Sequence, residues 1–407
     1  MGISVVEVEE IDIVIVGAGL CGLATALGLH KKGITSVVFE KSKTLRASGS
    51  AFGVSNNGWR ALDHLGVAPR LRKDSLILQG VARDVWLDNN TQRAAPLSAG
   101  EIRCVKRSDI LNALAEDLPH GTIRYGCHIL SIKLDPFTSY PILHMLDGRT
   151  IKAKVLIGCD GANSVVAEFL KLKPKKVFPK SAVRGLTTYP NGHGLSPELV
   201  RTHKGNMVCG RAPINENQVF WFLLLPDLHQ NTVDYKDPEF ISQMCVEKIK
   251  GCFPNEFVRM VQECDTSYLS LTYVKYRTPW DILVGSFREG TVTVAGDAMH
   301  VMGPFQGQGT SAALEDAVVL ARCLADGIGD QADFRGNRNV MQRKVGEAID
   351  AFVKERRMRL VSLSAQTYLT GLLLATLPTP VKVFIFLLTL LLFQDSARLT
   401  RFDCGHL

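Results

Sequence analysis

Three glycines, Gly17, Gly19 and Gly22, stand at the spacing that lets a bare backbone hold a phosphate, and an acid, Glu40, follows eighteen residues after the last of them. In such a turn the first glycine permits the sharp bend, the second admits a pyrophosphate against the main chain, and the third lets a helix lie close on a sheet. The phosphates would then sit on the free N–H groups at the positive end of that helix. Glu40 is placed to meet a ribose diol and would repel a 2′-phosphate, which points away from NADP as the resident dinucleotide. On these residues alone, FAD and NAD fit equally well.

The elements that must position these groups can be read around them. Ile11 to Val16 is a β-branched run suited to a buried parallel strand, Leu23 to Leu29 has helical apolar spacing, and Ser36 to Glu40 reads as a second strand ending on the acid. Two later segments repeat the pattern of a short apolar strand running into an acid: Val155 to Ser164, with Asp160-Gly161, and Thr291 to His300, with Gly296-Asp297. The second continues through Pro304 and Gly307-Gln308-Gly309 into a helix that begins near Thr310. An acid at a strand end accepts hydrogen bonds from sugar or ribityl hydroxyls, and small residues after it let a ring system lie on the backbone.

Taken in order, the glycine turn with Glu40, the Asp160-Gly161 pair, and Gly296-Asp297 with Pro304 and Gly307 to Gly309 resemble the group A flavin monooxygenases of the p-hydroxybenzoate and salicylate hydroxylase type. Within them the chain is most similar to the plant FAD-dependent monooxygenases described as salicylate-hydroxylase-like, over Glu9 to Asp326. The resemblance implies an α/β fold: a Rossmann-like FAD-binding domain of the glutathione-reductase type interleaved with a mixed β-sheet substrate domain, plus C-terminal helices. The expected division is 8–75, 101–175 and 286–360 for FAD, 76–100 and 176–285 for substrate, and 361–407 as an apolar helical region.

It further implies FAD as cofactor, NADPH or NADH as cosubstrate, and a cycle through a C4a-hydroperoxyflavin that hydroxylates or epoxidises a small aromatic or apolar substrate with O₂. Gly17, Gly19, Gly22 and Glu40 would hold the ADP half, and Arg107 would reach FAD from the next crossover. Asp160 would serve both FAD and the visiting nicotinamide, and Asp297 the ribityl and pyrophosphate region. The segment Gly307 to Ser311, with Gly309 and Thr310, would face the flavin edge, and Pro304 and Arg46 are further cofactor contacts. Two positions depart from the family pattern: Ala167, where an Arg is frequent, and Ser311, where an Asn is frequent. His300 reads as a structural residue of the loop rather than a proton donor. The alternatives are an FAD-dependent reductase or oxidase of the prenyl reductase type, and a non-enzymatic flavoprotein.

The middle of the chain supplies candidates for the substrate. Arg184 and Arg211 are placed to hold an acidic group or to form surface ion pairs, and Trp221, in the run Val219 to Leu225, lines a pocket or packs in the core. No spacing of His, Cys, Asp and Glu suits a metal, and no nucleophile stands beside a base, so no protein group is assigned a catalytic role and the chemistry falls to the flavin.

The bulk numbers agree. Of 407 residues, 46% are hydrophobic and 21% charged, enough apolar material for a large core. The net charge of +7 is spread along the chain, which argues against nucleic acid as a partner. Ten scattered cysteines without a Cys-x-x-Cys pair suggest free thiols in a reducing, intracellular and cytoplasmic setting, and Met1 to Glu10 shows no leader. The segment 368–393 is strongly apolar but interrupted by Pro378, Pro380 and Lys382. That favours helices packed over the cleft or lying on a membrane surface, a peripheral contact, over a span. The oligomeric state is not legible.

Overall fold

The computed structural model describes residues 8–45, 49–97, 100–226, 237–329, 336–375, 377–393 and 396–407. The chain builds an α/β structure on two large sheets. The first, of eight strands, has a parallel centre in the order Val292–Val294, Thr150–Gly158, Val8–Val16, Val37–Glu40, Ile123–Tyr125. Ile13, Val14 and Ile15 are consecutive and all fully buried, which requires cover on both faces of the strand. The helices Leu20–Lys31 and Gly309–Ile328 pack side by side and carry much of that core.

The second sheet, of seven strands, runs Ser270–Tyr276, Lys176–Thr188, Gln218–Pro226, Met207–Pro213, Leu199–Lys204, Val81–Trp86, Thr91–Pro96. Its pairings are antiparallel except for the parallel pair Leu199–Lys204 with Val81–Trp86. One face is covered by the helices Pro238–Ile249 and Asn255–Gln262, which bury Val183, Trp221 and Leu223 against Ile241, Cys245 and Phe257. On the opposite face, Leu186 and Ala212 pack at one end on Ala51 and Cys104 of a separate two-stranded sheet, Ala51–Val54 with Arg103–Lys106; at the other, Ala182 and Leu224 pack with Phe178 of their own sheet and on Phe305 of the loop after Val292–Val294. Strands of the first sheet come from both before and after those of the second, so the two lobes are interleaved along the chain.

The helix Arg338–Leu373 runs unbroken through residue 360, where the sequence suggested a boundary. The apolar tail is divided as its prolines dictate: a separate helix, Thr379–Leu392, follows Pro378 and carries Pro380 in its first turn, where a missing N–H costs nothing. Among the described residues, no helix is long and apolar enough to cross a membrane.

Candidate active site

Strand register brings the three sequence motifs to one edge. Val16 pairs with Gly158, and Gly158 with Val294, so the loops that follow leave the parallel sheet at the same level. Backbone bonds lock them together: Gly17 N–H donates to Phe39 O (2.7 Å), Cys159 N–H to Val16 O (2.8 Å) and Ala295 N–H to Gly158 O (2.9 Å). Ligands of open α/β sheets bind beyond this carboxyl edge.

The glycines serve two different ends. Gly17 has φ +99°, and a Cβ there would lie 2.7 Å from Cys159 O; at Gly22 it would lie 1.9 Å from Gly17 O. These two are glycine because the protein itself crowds them. Among the described residues, an added Cβ at Gly19 or Gly307 would meet nothing within 4 Å, and at Gly309 only Met302 at 4.0 Å. Gly307 needs its glycine for φ +62°, while Gly19 and Gly309 leave backbone bare toward an open cleft.

Two helix ends point into that cleft. Cys21 and Ala313 both approach Gly296, and seven residues after Cys21, Gly28 meets Ala321, so Leu20–Lys31 and Gly309–Ile328 run in the same direction. Neither has a side-chain cap or an acid in its first turn, leaving both sets of N–H groups available to an anion. Glu40 is held in place by accepting from Ala18 N–H (3.0 Å) and Ser42 N–H (2.9 Å). Asp160 Oδ2 accepts from Val165 N–H (2.8 Å), while its Oδ1 is buried without a partner. Burial pushes the Asp160 carboxyl above its usual range. Uncapped helix ends, open glycines and an orphaned carboxylate oxygen on one sheet edge together fit a dinucleotide.

Asp297 opens a short helix beyond Gly296 and lies along the cleft. Asp297 keeps an exposed side chain; the surrounding protein raises its carboxyl, opposed by the charges of His300 and of Arg184 on the second sheet. Arg184 stands between the two apolar clusters opposite the covering helices, in register with Phe222 and, through it, Gly210. Its Nη1 donates to Thr272 Oγ1 (2.9 Å). Gly210 has no side chain for a physical reason: a Cβ there would meet the Phe222 ring at 2.3 Å.

Arg211 and Trp221 are not in the cleft. Side chains alternate across a strand, and these two share the helix-covered face. Trp221 is fully buried, donates from Nε1 to Thr187 Oγ1 (3.1 Å) and stacks edge-on to Phe257. Arg211 points to Glu256 of the covering helix (3.8 Å). Arg107 begins the helix Arg107–Glu116, half-buried beside Gly49, and its N–H donates to Ser50 O (3.2 Å). Pro304 starts the turn before Gly307, and Thr310 lies half-buried in the first turn of the following helix. Arg46 lies outside the described residues.

The departures have structural readings. Ala167 is buried, its N–H capped by Ser164 Oγ (2.9 Å), while Lys275 Nζ reaches Asn163 Oδ1 (3.4 Å) and brings a cation to the Asp160 turn from another strand. Ser311 is buried too; its Oγ accepts from Ser55 N–H (3.3 Å) and tethers the strand Ala51–Val54 to the cradle helix.

Sequence reasoning missed the charges behind the cradle. Asp316 accepts from Gly296 N–H (2.9 Å), His300 Nε2 (2.6 Å) and Arg356 Nε (2.7 Å). Glu315 pairs with Arg356 (2.6 Å) and Arg359 (3.0 Å) and accepts from Asn57 Nδ2 (2.5 Å). Burial alone would raise both carboxyls, but His300 and Arg356 overrule it at Asp316, held down at about 2, and Arg356 and Arg359 lower Glu315. His300 is thereby a fully buried anchor of the loop. Two adjacent acids inside the otherwise apolar run Ala312 to Ala321 were the available signal, since buried charges demand partners.

No metal spacing is visible in the sequence, yet the fold brings one donor atom each of His64, Asp403 and Cys404 within 4.8 Å of one another. Burial pushes the Cys404 thiol up to about 12, against the thiolate that a metal would require.

A family model described as FAD binding domain matches residues 10–336. Monooxygenase 1 of Arabidopsis thaliana is 50% identical over 402 residues, covering 98% of this chain and all of that protein. Monooxygenase 2 of the same plant is 34% identical over 410 residues, covering 97% of this chain and 98% of that one. Among solved structures, HpxO of Klebsiella pneumoniae complexed with FAD and uric acid superposes with a TM-score of 0.72 at 17% identity, covering 97% of this chain and 96% of that one.

Proposed function

Since the chain belongs to the FAD-binding-domain family of FAD-dependent monooxygenases, we propose that it takes electrons from NADPH or NADH and inserts one atom of O₂ into a small aromatic or apolar substrate, by hydroxylation or epoxidation. FAD, when bound, supplies the electron exchange with the nicotinamide and the activation of oxygen. With FAD bound, the two uncapped helix ends would offer N–H groups to negative charge on its pyrophosphate and ring, and Gly307 and Gly309 would leave the backbone bare for it. Glu40 would hold the ribose, Asp297 the ribityl chain, and Arg107 would reach FAD from the neighbouring crossover. Lys275, beside Asn163, provides the cation for the visiting nicotinamide dinucleotide that Ala167 cannot.

The observation that carries the substrate reading is Arg184. It is a cation on the cleft face of the second sheet, opposite Asp297 and flanked by Phe222, with apolar clusters on either side. Such a wall suits an apolar or aromatic molecule with one electron-rich oxygen, which Arg184 orients while the aromatic side chains exclude water. The test is a compound screen that follows NADPH oxidation and H₂O₂ release separately, with isotopically labelled O₂. A true substrate accelerates the first without matching release of the second and returns one labelled oxygen in product. Turnover with no labelled oxygen in any product would replace this reading with the reductase or oxidase one.

A further inference from the structure

Among the described residues, the helix Thr379–Leu392 has little protein against it beyond the preceding helix Arg338–Leu373. Of its fourteen residues only Ile385 is buried. Val383, Phe384, Phe386, Leu387, Leu390 and Leu391 are all exposed, Phe384 by 65% and Leu391 by 70%. Projected at about 100° per residue, these six together with the exposed Val381 and Leu392 sweep an arc of roughly 240°. A second protein chain would cover a stripe of roughly 100° and leave the rest in water. A fluid hydrocarbon phase would cover all of it.

The charge pattern agrees. From Arg356 to Gln394 there is no acidic residue, and the single charge on the helix is Lys382, at its first turn and near Lys180. Fourteen residues reach only about 21 Å, against roughly 30 Å of hydrocarbon, so the helix does not cross. Both of its ends also return to the same body: the chain before it packs on Phe178 and Phe305 through Gly371, and the chain after it returns to bury Leu399, whose carbonyl accepts from Arg359.

We propose that Thr379–Leu392 lies in the interfacial layer of a lipid bilayer carrying anionic headgroups, with its axis along the membrane, and seats the enzyme there as a monotopic protein. The seat adjoins the cleft, because Gln306 of the cofactor loop donates to Thr370 Oγ1 (2.8 Å) near the end of the preceding helix. Docking of this kind does not depend on the identity of the substrate.

The test is flotation of the full-length, FAD-loaded protein with vesicles of phosphatidylcholine and phosphatidylserine. The parent is expected to float with the vesicles, less so when phosphatidylserine is omitted or salt is raised. The double variant Leu387→Glu, Leu391→Glu is expected to lose binding by more than roughly tenfold, with flavin content and thermal midpoint unchanged. Leu387→Trp gives a second readout that needs no loss of binding: its emission shifts to the blue when vesicles are added. A parent that stays monodisperse without detergent and does not float overturns the proposal. So does a parent that forms a discrete dimer, dispersed by the double variant, without binding vesicles, since the face would then belong to a second copy.

Discussion

On the proposed function, the two sheets use their surfaces differently. The first works through an edge: Gly17 to Gly22, Asp160 and Asp297 all leave the carboxyl ends of parallel strands, and both faces are spent on packing. The second works through a face: Arg184 and Phe222 look toward the cleft, while Arg211 and Trp221, on neighbouring strands, look the other way. An edge site is written in contiguous residues and tolerates little change. A face site is written at every second residue, and each position can be altered with less consequence for the whole.

That contrast can be broken at several points. The largest effect is expected at Arg356→Met, which leaves Glu315 and Asp316 buried without their shared cation behind the edge. Denaturant unfolding should show a loss of about 3–5 kcal/mol. A cost below that of Trp221→Phe, about 1 kcal/mol for one buried hydrogen bond, would remove the claim that the edge is the more demanding region.

Next comes Gly19→Val. Because nothing among the described residues lies within 4 Å of a Cβ there, the variant should fold with an unchanged thermal midpoint while its FAD affinity falls by about a hundredfold or more, giving colourless protein. Yellow, fully loaded protein would move the pyrophosphate elsewhere.

The third concerns acid. Asp316 is held at about 2 against an ordinary 3.8, so its folded-state pKa is depressed. The stability it contributes, on the order of 2 kcal/mol, is complete above the unfolded value and disappears as pH falls from about 4 to about 2. The stability gap between the parent and Asp316→Asn, measured by urea unfolding across that window, should narrow by this amount. A constant gap would show that the proton does not couple to folding there.

The smallest effect tests the face directly. Arg184→Gln should lower kcat/KM for a true substrate by roughly tenfold with flavin content unchanged, whereas Arg211→Gln should alter it by less than about twofold. The reverse ranking would mean that the cleft lies on the other face of the sheet.

What could be read in the sequence follows the same division. The glycine turn, the acid after the second strand and the two later strand-to-acid motifs were legible because each needs only local spacing, and the family order joined them. The face of the second sheet was not legible. Arg184, Arg211 and Trp221 all sit on good strands, and period two reveals that faces alternate without saying which one meets the cofactor. Only the covering helices Pro238–Ile249 and Asn255–Gln262 show which face is packed against protein, and their packing is a tertiary fact. The network of Glu315, Asp316, Arg356 and Arg359 was hidden for a related reason: its members lie about forty residues apart in sequence, and each alone looks like an ordinary helical charge.

That network also has a consequence for how the protein is made. The guanidinium groups of Arg356 and Arg359 are closed over by Phe402, with centroid distances of 4.9 and 5.0 Å, and Phe402 follows Asp316 by 86 residues. On the ribosome the helix bearing Glu315 and Asp316 emerges before the cations that neutralise it, and the aromatic lid comes later still. The helix Gly309–Ile328 therefore cannot reach its final packing until residues some forty and more positions downstream have been made. A product truncated before Arg356 would carry the whole glycine motif and still hold Glu315 and Asp316 in its core without their shared cation.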